Sequence, residues 1–437
     1  MRKSFRSTAF RLAAIATVFA TAAACGGDPA PTQGGGGNGA PAALEGVGPI
    51  TLVSGKDTSG NLQNQVDAWN KQNPDQKVTI IELPESADAQ RQQMVQNAQT
   101  QSDAYSVLTL DVIWTAEFAA NQWVVPLPEA EFPLDTFLPA TVETAKYFNK
   151  LYAVPATSDG GLLYYRKDLL DSVGAKAPTT WAEMKETCEK IKAKPENKAL
   201  NCFAGQYEKY EGLTVNFSEA VNSAGGAVVG EDGKPTVNTP EAAQGLQFLV
   251  DGLKDGTIPE KARTYKEEEG RRDFQAGQLI FHRQWPYQYA LANATDGSSK
   301  VAGKFDVAPL PGASGPGAST LGGHNLAISA FAPNKKTSVD FIKFMTGEEQ
   351  QRANLEATSK APSMASLYDD PALVEKFPYL PGLKASIENA KKRPSVVKYQ
   401  EVSTAIQEAA YSAMSGQATP QDALASLQTK LEQLTAS

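Results

Sequence analysis

Short apolar runs alternate with longer stretches of helical spacing along the chain. In residues 61–72, for example, Leu62, Val66 and Trp69 fall on one helical face. Runs rich in β-branched and aromatic residues are typical of strands. The predicted strands are 50–54, 78–83, 107–114, 151–155, 162–165, 279–281, 305–308 and 325–330, and the predicted helices are 61–72, 87–101, 337–356 and 419–434. This alternation predicts an α/β fold with largely parallel pairing.

Two local signals sharpen this prediction. Thr419 can cap the last helix and Pro420 suits its first position, while leucines repeat along one face at Leu424, Leu427, Leu431 and Leu434. Gly160 and Gly161 stand between two apolar strands, where they suit a crossover between two parts of the fold.

The first 24 residues predict a secretory signal, because four basic residues without an acid precede a short stretch of small and apolar residues. The sequence Ala-Ala-Ala-Cys-Gly at 22–26 resembles a lipobox, which makes Cys25 the lipid-modified mature N-terminus. The alternative is a plain secretory signal in which Cys25 is incidental. Residues 25–46, rich in Gly, Pro and Ala, predict a flexible tether. We therefore expect a protein that is anchored by lipid to the outer face of the bacterial cytoplasmic membrane.

The composition of the 437-residue chain narrows the function classes. Lys and Arg number 41 against 49 Asp and Glu, which argues against a nucleic-acid partner. Two histidines and three cysteines cannot build a transition-metal cluster, and neither a metal nor a cofactor is predicted. The G-x-S-x-G, G-x-x-x-x-G-K-[ST] and H-E-x-x-H motifs are missing, and no G-x-G-x-x-G follows a predicted strand. A carboxylate pair that hydrolyses glycosides remains possible, although the Glu run at 267–269 is typical of a solvated face or a helix start.

Cys188 and Cys202 remain once Cys25 is set aside. In an exported protein they predict a disulfide, which would stabilise the fold by roughly 3 kcal/mol in the chain-entropy model. Two buried free thiols are the alternative.

Four residues suggest ligand contact from their residue type alone. Asp111 lies inside an apolar run, where a carboxylate is costly unless it has a partner or stands at the open end of a strand. An N-cap or turn position before residues 114–117 is the alternative for Asp111. Trp285 and Tyr287 follow a strand and can offer flat apolar faces to a sugar ring, although Tyr287 equally suits core packing. Arg393 is either functional or part of a charged surface.

Several segments in series resemble the carbohydrate-binding lipoproteins of bacterial ABC importers, extracellular solute-binding protein family 1. They are LDVIWTAEF at 110–118, LYAVP at 151–155, LYYRKDLL at 163–170, FQAGQ at 274–278, LGGHNLAI at 321–328, DFIKFM at 340–345 and ASLYDDP at 365–371. The W-T-A-E-F and E-G-L segments, with Arg393-Pro394 and Tyr399, resemble the trehalose and maltose branch most.

The resemblance implies an α/β, two-lobed periplasmic-binding-protein fold of type II, in which each lobe is a central mixed sheet flanked by helices. Lobe 1 is expected at 47–157 plus 304–358, and lobe 2 at 158–303 plus 359–437. The implied function is capture of a neutral sugar by hinge closure and delivery to the permease subunits. The sugar would be an α-linked disaccharide such as trehalose or maltose. We expect a monomer that makes and breaks no bonds.

The resemblance also implies which residues bind the ligand. They are Asp111, Asp159, Glu211, Trp285, Tyr287, Gly323, Asn325 and Arg393, and Asp57 and Ser59 are added from their position after the first strand. Asp159 stands where the branch often has Asn, and His324 occupies an often apolar position. Such a set suits a sugar, because carboxylates accept bonds from hydroxyls, Arg donates to oxygens, and aromatic rings cover apolar ring faces.

Overall fold

The computed structural model describes residues 44–230 and 232–435. The predicted signal, the predicted lipidation at Cys25 and most of the predicted tether lie outside the described residues. The strands are β1 (Ile50–Gly55), β2 (Val78–Leu83), β3 (Val107–Asp111), β4 (Lys146–Tyr147), β5 (Lys150–Leu151), β6 (Ala153–Asp159), β7 (Leu162–Tyr165), β8 (Asn201–Ala204), β9 (Leu279–Gln284), β10 (Asp306–Ala308) and β11 (Gly322–Ile328).

Helices connect and cover these strands. They are α1 (Asn61–Gln72), α2 (Ala87–Gln99), α3 (Thr115–Ala120), α4 (Pro139–Thr144), α5 (Lys167–Asp171), α6 (Trp181–Lys192), α7 (Glu211–Ser223), α8 (Pro240–Asp255), α9 (Glu267–Gln275), α10 (Gln288–Ala292), α11 (Lys335–Thr346), α12 (Glu348–Thr358), α13 (Pro371–Lys376), α14 (Leu380–Glu388), α15 (Tyr399–Met414) and α16 (Pro420–Thr435). Short 3₁₀ helices occur at Glu129–Glu131, Leu134–Thr136, Pro195–Asn197, Glu260–Thr264 and Ala365–Tyr368.

Lobe 1 is built on a sheet with the strand order β2-β1-β3-β11-β6. β1 pairs in parallel with β2 and β3, whereas β11 runs antiparallel to β3 and β6. Helix α1 covers one face with the apolar stripe predicted from its sequence. Its Trp69 ring packs edge-on against Phe341 and Phe344 of α11, with centroids 5.4 and 5.5 Å away.

Lobe 2 is built on a sheet with the order β10-β7-β9-β8, in which every residue of β9 is buried. Helices α7, α8, α15 and α16 pack together beside it. The predicted disulfide is confirmed, since Cys188 of α6 and Cys202 of β8 are bonded with their Cα atoms 5.5 Å apart. The predicted cap of α16 is also confirmed, because Thr419 Oγ1 accepts a hydrogen bond from Asp422 N at 3.1 Å.

The chain passes from the first sheet to the second at Gly160 and Gly161, as their position between two strands predicts. It returns between β10 and β11, and it crosses again after α12. Because β10 pairs with β7, the return lies later than the predicted boundary at residue 304. A strand of three residues is too short for its sequence to show which sheet it joins. Only the observed pairing assigns β10 to the sheet of lobe 2.

Some predicted elements differ from the observed ones. Pairing is mixed rather than largely parallel, because β11 inserts antiparallel between β3 and β6. β3 ends at Asp111 and not at 114, since the backbone turns there and Trp114 N donates to Asp111 O. The helix predicted at 337–356 is two helices, α11 and α12, separated by an extended Gly347. The strand predicted at 151–155 is shifted, because residue 151 pairs in a hairpin with β4.

Candidate functional site

A cavity of about 310 Å³ lies between the two lobes. The ends of β1, β3 and β6 line it from lobe 1. The start of α7, the start of α9 and the turn after β9 line it from lobe 2. Of the predicted site residues, the structure brings together here Asp57, Asp111, Asp159, Glu211, Trp285, Tyr287, Gly323 and Arg393.

Arg393 joins carboxylates of both lobes in the wall of this cavity. Its Nη2 donates to Asp111 Oδ1 at 2.6 Å, and its Nη1 donates to Glu211 Oε1 at 2.7 Å. Burial opposes the charge of this guanidinium, but Asp111, Tyr399 and Glu211 raise the pKa of Arg393 well above its ordinary value. Arg393 is therefore a buried cation whose partners stand on opposite sides of the cleft, and the surface alternative for it is wrong.

Glu211 is held rigidly at the first residue of α7. It accepts hydrogen bonds from Ser403 Oγ and from Tyr399 OH, both on α15. With Arg393 added, three donors meet this one carboxylate, and 4% of the residue is exposed. The α15 residues thus orient Glu211 toward the cavity and toward Arg393.

Trp285 forms an aromatic wall on the lobe 2 side. The Cζ atom of Arg283 lies 3.9 Å from the centroid of its ring. A Cβ atom at Gly322 would lie 2.9 Å from two atoms of the same ring, so only glycine leaves room there. Tyr287 also lines the cavity, and its hydroxyl donates to Glu268 Oε1 at 2.8 Å.

Asp159 lines the cavity from the end of β6. Its side chain makes no hydrogen bond within the part of the chain that the structure describes. Burial raises the pKa of Asp159 to about 7; Lys360 opposes this rise and Asp111 adds to it. Asp159 can therefore present either a donor or an acceptor to a ligand near neutral pH.

Asp57 occupies the lobe 1 end of the cavity. Ser59 Oγ donates to it at 2.6 Å, Leu62 N at 2.9 Å and Lys360 Nζ at 3.2 Å. Burial raises its pKa, but Lys360 and these hydrogen bonds lower the pKa of Asp57 to about 2. Asp57 is thus an acceptor at every physiological pH, and Ser59 supports it from outside the cavity lining.

Asn325 does not line the cavity, contrary to the prediction. It is fully buried, and its Nδ2 donates to Thr115 Oγ1 at 3.2 Å and to Thr144 Oγ1 at 3.1 Å. The register of β11 against β6 shifts between His324 and Asn325, and His324 lines the cavity. Gly323 lies in that strand with a φ of 113°, and a Cβ there would lie 2.3 Å from Thr157 O.

Several lining residues carry no sequence signal for a site. Lys360 lines the cavity from the third crossover, and a single lysine after a helix is unremarkable in sequence. Glu267 and Glu268 were predicted to start a helix or to form a solvated face. The helix start is confirmed, but both residues line the cavity and Glu268 is buried against Arg271. Three consecutive charges suggested solvent, whereas Glu268 is bonded within its own lobe to Arg271 and Tyr287.

The sequence profile of the bacterial extracellular solute-binding proteins matches residues 55–352. The "Probable ABC transporter-binding protein" of Deinococcus radiodurans is 35% identical over 88% of this chain and 94% of its own length. A mannitol-binding protein of Pseudomonas aeruginosa is 24% identical over 84% of this chain and 88% of its own length.

Solved structures agree with the two-lobed architecture. Maltose-bound MalE3 of T. maritima is 38% identical, covers 88% of this chain and 99% of its own, and superposes with a TM-score of 0.84. The GacH receptor of Streptomyces glaucescens, at 22% identity and a TM-score of 0.78, shares the fold over 90% of this chain and all of its own. In the described ranges no helix combines the length and the apolar character that crossing a membrane requires.

Proposed function

The chain belongs to the family of bacterial extracellular solute-binding proteins, which serve ABC transporters and are not enzymes, and we propose that it captures a neutral α-linked disaccharide such as trehalose or maltose. The cleft would close on the sugar, and the closed form would deliver it to the permease. Family membership removes the alternative of a glycoside-hydrolysing enzyme.

The observation that carries this proposal is the guanidinium of Arg393 between Asp111 and Glu211. A sugar is rich in hydroxyls that donate to carboxylates and oxygens that accept from guanidinium, and such charge-assisted bonds are stronger than neutral ones. Here both partners face one cavity, from different lobes. A ligand that touches both lobes stabilises the closed arrangement by its differential affinity for that state.

The rest of the lining supports a small, neutral and partly apolar ligand. Trp285 offers a flat face for the C–H side of a pyranose ring. Carboxylates outnumber the lining cations Lys56, Lys360 and Arg393, which disfavours an anion. A volume near 310 Å³ lies at the lower end of the range for small-molecule pockets, which suits a disaccharide better than a long oligosaccharide. The 38% identical T. maritima protein is described as bound to maltose, which supports the same class.

The test is calorimetric titration with trehalose, maltose, mannitol and a galactooligosaccharide, followed by chromatography of the recovered ligand. We expect at least one α-linked disaccharide to bind with a Kd of about 1 μM or tighter, which corresponds to roughly −8 kcal/mol, and to be recovered intact. Binding of mannitol alone would contradict the disaccharide proposal.

We further propose that the protein is a monomer anchored by lipid at Cys25. The proposal is supported by the lipobox-like sequence and by the Gly-rich segment that follows it. A labelled fatty acid should be incorporated into the parent chain and not into Cys25→Ala, and incorporation into both would contradict the anchor.

A further inference from the structure

A second buried arginine, Arg283, stands directly behind Trp285. Arg283 belongs to β9 and 2% of its side chain is exposed. Its Nε donates to Glu219 Oε2 at 2.6 Å, its Nη2 donates to Glu219 Oε1, and its Nη1 donates to Gln206 Oε1 at 3.1 Å. The guanidinium is therefore held flat by a bidentate carboxylate and an amide, with its face toward the Trp285 ring. Neither Arg283 nor Glu219 lines the cavity.

The same ion pair touches the crossovers between the lobes. Glu219 Oε1 accepts a hydrogen bond from Thr320 N of the second crossover at 3.2 Å. Gly161 of the first crossover lies so close that a Cβ there would be 2.7 Å from Arg283 Nη2 and 2.8 Å from Glu219 Oε1. Gly161 N in turn donates to Ser319 Oγ at 2.5 Å. Both crossovers are thus packed on one buried ion pair.

We infer that Arg283 and Glu219 are positioning residues for ligand binding, which fix the plane of the Trp285 ring against the crossovers without touching the ligand. Two observations favour this over a purely structural role. A guanidinium stacked on an indole attracts its π-system and restrains its orientation. Gly322, the first residue of β11 after the second crossover, lies at the edge of the ring, where a Cβ would come within 2.9 Å of two ring atoms, so the ring has little room to move toward it. The inference rests on the proposed function, in which Trp285 contacts the sugar.

The ion pair also has a consequence for closure. Hinge motions concentrate in a few residues that link the lobes. Because the pair holds Thr320 by hydrogen bond and Gly161 by packing, the aromatic wall and the crossovers form one unit. A change in the ring plane is then transmitted to the crossovers, and loss of the pair uncouples them.

The test removes both charges together, in Arg283→Met with Glu219→Gln. A single substitution would leave one buried charge unpaired and could prevent folding, whereas the double variant keeps the volume and leaves no uncompensated charge. The control is Arg91→Met with Glu117→Gln. That ion pair in lobe 1 is also poorly exposed, at 13% and 7% of the side chains, and neither residue lines the cavity.

Two quantities are measured on the full exported chain. The first is the emission of Trp285 in the unliganded protein, isolated by subtracting the spectrum of a Trp285→Phe variant made in each background. The second is the Kd for maltose and for trehalose. We expect the double variant to shift the Trp285 emission and to weaken sugar binding by about 3- to 10-fold. The control variant should leave both quantities unchanged.

An unchanged Kd in the double variant overturns the inference. It would mean that binding does not depend on the ion pair, so the pair does not position Trp285 for the ligand. Arg283→Lys sharpens the result, since a lysine keeps the charge but loses the flat fork and should weaken binding as well. If neither sugar binds the parent, the proposed function is refuted. The emission shift of Trp285 alone then decides whether the pair fixes the ring.

Discussion

Arg393 and Arg283 are two buried arginines that bind carboxylates, and they differ in where those carboxylates belong. Each side chain is 2% exposed. Arg283 binds both oxygens of Glu219 within lobe 2, while Arg393 divides its donors between Asp111 of lobe 1 and Glu211 of lobe 2. Only the second arrangement opens onto the cavity.

The same ion-pair chemistry therefore has two different roles in this protein. The Arg283–Glu219 pair lies within one lobe and does not line the cavity, so no ligand can replace either partner and the pair can only fix the local geometry. A guanidinium shared between two lobes forms its full set of bonds only when the lobes approach. Because 17% of the Asp111 side chain stays exposed to the cavity, a ligand hydroxyl can compete for it. Burial of a charge pair therefore does not by itself reveal function; its position across the cleft does.

The largest effect should come from Arg393→Met. Removing one partner of a charged hydrogen bond costs about 1.5 to 3 kcal/mol, so the Kd for the bound disaccharide should rise by roughly 10- to 150-fold. The melting temperature should fall too, because Glu211 is left buried without its cation. Lys392→Met is the matched control, since that neighbouring ion pair is exposed. If calorimetry shows that Arg393→Met binds the sugar with the Kd of the parent, then Arg393, like Arg283, does not contact the ligand.

Asp111→Asn should weaken binding by about 10-fold, somewhat less than loss of Arg393. The amide keeps the shape and can still bond a hydroxyl, but it no longer forms a charge-assisted bond. Stability should change little, because Asp111 is the more exposed of the two carboxylates that bind Arg393. A lower melting temperature with unchanged affinity would restore the alternative of a purely structural turn residue.

Trp285→Ala should raise the Kd by about 5- to 10-fold, from loss of aromatic contact with the sugar. It should also remove most of the sugar-induced change in fluorescence. Trp181→Ala is the control, because that ring stacks on Phe248 at 4.2 Å and does not line the cavity. A sugar-induced fluorescence change that persists in Trp285→Ala would mean that Trp285 is a core residue that does not contact the sugar.

Asp159 tests a carboxylate that neither arginine binds. Its pKa of about 7 lies above the ordinary value near 4, so the folded state binds the proton more tightly than the unfolded state. The stability that this group contributes is fully present below about pH 4 and is lost as the pH rises toward 7. The melting temperature of the unliganded parent should therefore decrease by a few degrees over that range, and Asp159→Asn should flatten the decrease. Parallel curves for the two proteins would contradict the shift.

The smallest effect on binding is expected from Cys188→Ala with Cys202→Ala. The disulfide should contribute about 3 kcal/mol to the free energy of unfolding, and neither cysteine lines the cavity. Thermal denaturation should show a lower melting temperature, while titration should give the parent's Kd. A changed Kd would mean that the site depends on the stability of lobe 2 as a whole. Weaker binding in an Arg283 variant could then not be assigned to the position of Trp285.

The spacing of apolar residues along the chain was sufficient to predict the bounds of three elements. Helix α1 and the strands at β2 and β7 have the predicted bounds, because their apolar positions match one period and turns flank them. The predictions were wrong where backbone geometry interrupts the pattern, as at Gly347, where two helices meet, and at Asp111, where a turn follows the strand.

The sequence alone was enough to predict the family, the α/β class, the disulfide and eight of the residues that line the cavity. These properties follow from ordered motifs and from residue types whose burial needs a partner. The tertiary structure alone decided that His324 and not Asn325 lines the cleft, that Lys360 and Glu267 belong to it, and that Arg283 stands behind Trp285. Residues that meet in the cavity lie far apart along the chain, so their spacing in the sequence does not show that they are neighbours. Arg393 lies 282 residues from Asp111 and 182 from Glu211, and only folding of both lobes brings such positions within hydrogen-bond reach.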